Sequence, residues 1–121
     1  KMKYLSNRGI ATAAFIGYDT SDAAIELARA SDKHIVFVSN ANGRTQPREG
    51  LVTWAERIGY IRAHGVTAPI FGVTGIKTPE ELQQVRDAGA DGAYIGSIMM
   101  QLWDNEPELW KLLDAFQAVA K

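Results

Sequence analysis

The sequence predicts an α/β fold built on a parallel sheet. Three observations predict it. Short apolar runs rich in β-branched and aromatic residues alternate with amphipathic helical stretches, four times along 121 residues. Strands separated by helices require parallel pairing through right-handed crossovers. A short extra apolar helix follows the fourth run, and the chain opens on the end of a helix, not on a strand.

The opening segment, Lys1 to Gly9, reads as a helix end closed by a C-cap glycine at Gly9. Lys1 precedes Met2, and this helix has no N-cap, so further sequence upstream is expected. Residues 10–16 (Ile-Ala-Thr-Ala-Ala-Phe-Ile) form the first strand. Tyr18 to Asp22 offers several N-caps, and a helix over 23–30 places Ile25, Leu27 and Ala28 inward. Residues 34–39 are the second strand, and the polar, Gly-containing stretch 40–50 is a long loop. A helix over 51–64 carries Trp54, Ile58 and Ile61 on one face and ends at Gly65. Residues 68–73 are the third strand.

Thr78-Pro79-Glu80-Glu81 is the sharpest local signal, with an N-cap Thr, Pro at the first helical position and an acidic first turn. Glu81 stands three residues after Thr78, the spacing of a capping box. That helix ends at Ala88 before Gly89. Residues 92–95 are the fourth strand. A short helix over 98–103 and a last helix over 106–120 follow, the latter with Leu109, Leu112, Leu113 and Phe116 inward. The whole chain is expected to be one domain.

An open doubly wound sheet and part of a closed barrel both satisfy this order. No Gly-rich dinucleotide fingerprint follows the first strand, which weighs against the open sheet. The short helix after the last strand favours the barrel, where such a helix often aims its N-terminus at a phosphate. Four units are half of eight. The expected fold is therefore a (β/α)8 barrel of which this chain supplies the last four βα units.

Composition narrows the chemistry. The net charge of -1 gives no electrostatic case for nucleic acid or an anionic membrane. The absence of Cys excludes disulfides, Cys-rich zinc sites and a thiol nucleophile, and fits a reducing cytoplasm. His34 and His64 are too few for a His-built metal site. No apolar run approaches the roughly 18 residues of a membrane span.

Two junctions carry candidate chemistry, Val73-Thr74-Gly75-Ile76 and Tyr94-Ile95-Gly96-Ser97. Each lies where a strand hands over to a helix. Glycine there lets an anion approach the backbone, and the following N–H groups point at it. A tight turn alone also explains either glycine. Two such junctions on successive units favour a phosphate at Gly75, Gly96 and Ser97. The remaining polar residues read as scaffold. Glu49 and Asp19 are solvated loop acids, and Asp91 and His34 stand at the opposite ends of their strands. Arg44 is an exposed loop cation, and Trp103 and Trp110 belong to core or interface.

Gly75-Ile-Lys-Thr-Pro-Glu80 resembles the Gly-Phe-Gly-Ile-Ser-Thr-Pro-Glu segment of the tryptophan synthase alpha chain. Ala88 to Ser97 resembles that family's Ala-Gly-Ala-Asp-Gly-Val-Ile-Val-Gly-Ser, a pattern shared with other phosphate barrels such as thiamine phosphate synthase. Val36 to Thr45 is similar to the family's sixth strand and the loop after it. Element order matches over essentially the whole chain. The resemblance implies a barrel lyase that splits indole-3-glycerol phosphate into indole and glyceraldehyde 3-phosphate and passes indole to a beta chain. It implies phosphate binding by Gly75, Gly96 and Ser97, and a mobile lid containing Gly43 and Thr45. It implies no cofactor and no metal. The family's two catalytic carboxylates lie in the other half of the barrel, so this chain is expected to need an N-terminal half and to be inactive alone.

The sequence departs from the pattern at Gln46, where the family has a loop glycine, at Thr74, where it has Phe, and at Arg44, where Val is usual. These departures keep two alternatives open: another phosphate-barrel enzyme, of the thiamine phosphate synthase or sugar-phosphate isomerase kind, and a non-catalytic half-barrel that associates with itself.

Overall fold

The computed structural model describes residues 4–120 apart from 6, 31–34 and 42. Four strands, β1 (Ala13–Ile16), β2 (Ile35–Ser39), β3 (Ile70–Val73) and β4 (Gly92–Ala93), form one sheet in the order β1-β2-β3-β4. All three pairings are parallel. Helices α1 (Asp22–Ala30), α2 (Trp54–Ala63) and α3 (Pro79–Asp87) form the crossovers, and α4 (Ser97–Gln101) and α5 (Glu106–Ala120) follow β4. His34, expected to open the second strand, lies outside the described residues.

The strands start later than the apolar runs, for visible reasons. Arg8 and Ile10 both donate their N–H to Leu5 O, at 3.0 and 3.1 Å, and Gly9 sits at φ +73°. This is the glycine-closed helix end that the sequence predicts. It consumes the Ile10 N–H, so β1 begins only at Ala13. At β3, Pro69 has no N–H to offer, and Ala68 O is taken by Arg62 at 2.7 Å. Asp91, at the amino end of β4, accepts from Ile70 N and from Arg62, at 2.9 and 2.8 Å. It clips the lower ends of β3 and β4 together.

One face of the sheet packs on the helices. Ala14, Ile16, Val36, Val38 and Ile70 are buried there against Ile25, Ala28, Trp54, Ile58, Ile61 and Val85. Gly72 is needed on this face, because a Cβ would stand 2.8 Å from Val85 Cγ1 and 3.3 Å from Trp54 Cη2. Leu27 departs from expectation. It is 60% exposed, since it lies about 200° around the helix from Ile25, whereas Ala28 shares that residue's face. On α5 only Leu109 and Phe116 are buried, and Leu113 is exposed; among the described residues α5 packs chiefly against α3.

Caps also differ from expectation. α2 starts at Trp54 rather than at Leu51, because Thr53 and Glu56 form a full capping box. Thr78 Oγ1 caps α3 by accepting from Glu81 N at 3.2 Å. The Glu81 carboxylate, however, accepts from Lys77 N, one residue before the position a reciprocal box uses.

Among the described residues, no layer of helices covers the opposite face of the sheet. Ala13, Phe15, Ile35, Phe37, Phe71, Val73 and Tyr94 alternate with the buried set and point away from the helices. Phe15 is 60% and Tyr94 54% exposed. The Tyr94 ring meets Phe37 edge-on at 5.4 Å between centroids and Phe71 at 5.7 Å. A parallel sheet is ordinarily buried on both faces. In a closed barrel this apolar face is the interior.

Candidate functional site

The carboxyl ends of the strands converge on one rim. Asn40, just after β2, donates its N–H to Val73 O at 3.0 Å, and Tyr94 N donates to Gly72 O at 2.9 Å. These bonds continue the ladder past the formal strand ends, so residues 40, 74–75 and 94–97 belong to the same end of the sheet.

Gly75 sits at φ +72°, where an L side chain is strained, and a Cβ there would meet Asn40 Nδ2 at 3.4 Å. The residue before it, Thr74, also has positive φ, at +69°. That conformation is uncommon for a β-branched residue, and it marks stored backbone strain at this rim. Gly96 stands at the N-cap of α4 with no side chain capping the helix, and a Cβ on it would meet nothing within 4 Å. The first N–H groups of a helix lack intrahelical acceptors, so the uncapped start at Ser97 leaves donors for another group. Both Gly96 and Ser97 are exposed. Gly75 and Gly96 thus stand beyond the ends of the paired strands β3 and β4.

The segment 40–50 is a loop, with Gly43 at φ +74° and exposed and Thr45 half-buried. Its far end is anchored. Arg48 donates to Thr20 O at 3.1 Å and to Asp22 Oδ1 at 2.8 Å, while Tyr60 Oη donates to the same carboxylate at 2.8 Å. The Arg48 guanidinium lies over the Tyr60 ring at 5.1 Å. Arg48 and Tyr60 together hold the Asp22 carboxyl below its ordinary range. Nothing in the sequence singled out Arg48. Its partners lie 26 and 28 residues away, and only folding brings them together.

Arg57 was also missed. On the inner face of α2 it is 1% exposed, with Nε donating to Thr20 Oγ1 at 2.8 Å and Nη2 to Gly17 O at 3.0 Å. Its guanidinium faces Tyr18 at 5.0 Å and Trp54 at 5.5 Å. Burial pulls its pKa below the usual arginine value, and Tyr18 and Asp19 work against that shift. The contacts fix the β1–α1 turn at the same end of the sheet.

Among the described residues no group of His, Asp and Glu comes together in a way that could hold a metal ion. None of the described helices is long and apolar enough to cross a membrane. The groove of about 450 Å³ between α3, β4 and α5 lies on the helical side, lined by Val85, Leu113 and Phe116 among others, and is a packing seam away from the rim.

No protein-family model matches the sequence, and no curated protein matches it. Solved structures do match the fold. The tryptophan synthase subunit alpha of Campylobacter jejuni superimposes with a TM-score of 0.69 at 19% identity, over 95% of this chain and 47% of that one. A wild-type GGGPS from Thermoplasma volcanium gives 0.67 at 19% identity, over 99% and 53%. A protein of Aquifex aeolicus VF5 gives 0.70 at 13% identity, over 97% and 44%. The chain spans about half the length of the structures it matches. Its fold is that of four consecutive βα units of a (β/α)8 barrel.

Proposed function

We propose that this chain is the phosphate-binding half of a barrel enzyme of the tryptophan synthase alpha type. In this reading the complete barrel is a carbon–carbon lyase that cleaves indole-3-glycerol phosphate to indole and glyceraldehyde 3-phosphate in the cytoplasm. It hands indole to a beta chain. The observation that supports it is the pairing of Gly75 with the uncapped helix start at Gly96 and Ser97 beyond two neighbouring strands. Backbone donors and helix dipole there suit a phosphate dianion. Residues 40–50, with Gly43 and Thr45, supply the lid on the same rim. An N-terminal half supplies the acid and base, for no Asp, Glu, Lys or Arg stands on the open face of this half's sheet.

A second reading, another phosphate-barrel enzyme with a different substrate, rests on Thr74 and Gln46. Thr74 holds a strained backbone where the resembling family carries Phe, which alters the wall beside the phosphate.

The test joins this chain to an alpha-chain N-terminal half and titrates glycerol phosphate. Gly96→Val should weaken binding by blocking backbone approach, without disturbing the fold, since the space before Gly96 is open. Ser97→Ala should cost less, about 0.5–1.5 kcal/mol. Equal affinity for wild type and Gly96→Val would place the phosphate elsewhere. Phosphate binding without indole release would favour the second reading.

A further inference from the structure

We infer that Asp19 is a substrate-binding residue, its carboxylate held over the mouth of the barrel to accept a hydrogen bond from a hydroxyl or N–H group of the phosphate ester. The inference rests on the phosphate reading above and adds a contact at the other end of the substrate.

The position follows from β1. Its side chains alternate, Ala13 and Phe15 toward the open face, Ala14 and Ile16 toward the helices. The next residue, Gly17, therefore faces the barrel interior at the carboxyl end of the strand. A Cβ on Gly17 would stand 3.1 Å from Asp19 Oδ1. The Asp19 carboxylate thus borders the space that a side chain at 17 would take, on the interior side of the rim, where barrel enzymes place their active sites. Expected as a solvated loop acid, Asp19 is half-buried. Gly17 follows Ile16, the partner of Val38, and so stands level with Ser39, whose own partner is Val73. Asp19 and the Thr74-Gly75 turn therefore share one rim.

The turn that carries Asp19 is rigidly built. Thr20 N and Arg57 Nη2 both donate to Gly17 O, each at 3.0 Å. Arg57 Nε donates to Thr20 Oγ1 at 2.8 Å and Arg48 Nη1 to Thr20 O at 3.1 Å. Thr20 sits at φ +47°, a strained conformation that persists only where the surroundings over-determine it. All of these bonds end on Gly17 or Thr20, and none uses the Asp19 carboxylate between them. None of the ion pairs among the described residues includes Asp19 or Arg57. Arg57 lies under the turn as a buried cation whose charge attracts Asp19. The turn is thus a fixed mount that presents a carboxylate acceptor, with a cation behind it, to a molecule entering the mouth.

Charge and distance set the chemistry of the contact. A carboxylate repels a phosphate dianion, so Asp19 meets the uncharged end of the ester. An ionised carboxylate only accepts hydrogen bonds, so the group it meets is a donor. Adjacent strands lie about 4.8 Å apart, which puts the end of β1 about 10 Å from Gly75 beyond β3. The carbon chain of the ester, one hydrogen bond and the reach of the Asp side chain bridge that gap.

Titrating the barrel assembled with its N-terminal half against inorganic phosphate, glycerol 3-phosphate and indole-3-propanol phosphate tests this. Asp19→Ala should weaken at least one of the two esters roughly 10–100-fold, the loss expected for a hydrogen bond to a charged group. Inorganic phosphate should bind this variant at least as well as it binds wild type, since a negative charge has left the rim. Gly17→Ala keeps the carboxylate but crowds it out of place. It should weaken the same ester while far-ultraviolet circular dichroism stays unchanged. A loss on glycerol 3-phosphate makes a hydroxyl the donor, and a loss confined to indole-3-propanol phosphate makes it the ring N–H; either supports the proposal. Unchanged affinity for both esters overturns it, even where Gly96→Val still weakens phosphate binding. So does a loss that extends equally to inorganic phosphate, because the turn would then only support the fold. If Gly96→Val alters no affinity, the phosphate reading fails and the placing of the ester against Asp19 falls with it.

Discussion

Arg57 Nε donates to Thr20 Oγ1 at 2.8 Å, joining the inner face of α2 to the turn after β1 across 37 residues of sequence. Thr20 is fully buried and sits at φ +47°. The bond therefore secures a residue whose backbone is itself strained, in a place from which water is excluded.

Arg57→Ala should destabilise the fold by about 2–4 kcal/mol. It leaves the buried Thr20 Oγ1 without its donor, at about 1–3 kcal/mol for a buried unsatisfied group, removes one of the two N–H groups that Gly17 O accepts from, and opens a cavity under Trp54. Urea unfolding followed by circular dichroism measures the difference. A change below about 0.5 kcal/mol, the range of ordinary surface substitutions, would show that water replaces the guanidinium without loss.

Gly72→Val should destabilise by about 1–3 kcal/mol, the usual range for overpacking. The new Cβ would lie 2.8 Å from Val85 Cγ1, between two helices that cannot both retreat. Pairing it with Val85→Ala should recover part of the loss, and a double-mutant cycle measures how much. Independent, additive effects would mean that the strain is relieved elsewhere.

Thr74→Gly should raise stability by about 0.5–1 kcal/mol. Left-handed backbone costs an L residue roughly 1–2 kcal/mol, and glycine's extra freedom in the unfolded chain offsets part of that gain. Thermal unfolding reads the difference, and a lower melting temperature would mean that Thr74 makes compensating contacts.

The anchor of the 40–50 loop should loosen in acid. Arg48 and Tyr60 hold the Asp22 carboxyl below its ordinary value of 3.8, so the unfolded chain takes up this proton more readily than the folded one. The stabilisation is whole above that ordinary value and is lost as pH falls through the lowered one. Wild type and Asp22→Asn should differ in melting temperature at neutral pH, and the gap should begin to narrow as pH falls below 3.8. A gap that does not narrow on acidification would exclude the carboxylate as the cause.

The chain's local signals determined much of this protein. Strand–helix alternation was legible because periodicity and caps depend on near neighbours. Thr78-Pro79 starts α3 and Gly9 closes a helix wherever the rest of the chain goes. Even the missed start of α2 was written locally, in Thr53 and Glu56. The candidate rim residues Gly75 and Gly96 were legible for the same reason, since a strand end followed by glycine and a helix start is a short pattern. Tertiary structure decided the rest. Whether Leu27 was inside depended on which stripe of α1 met the sheet. Arg57 and Arg48 gained their roles from partners 26 to 40 residues distant. The open aromatic face of Phe15, Phe37, Phe71 and Tyr94 emerged only when parallel register aligned residues from four separate segments. Local pattern fixes backbone conformation through bonds a few residues long. Burial and pairing between distant segments depend on where the whole chain places them.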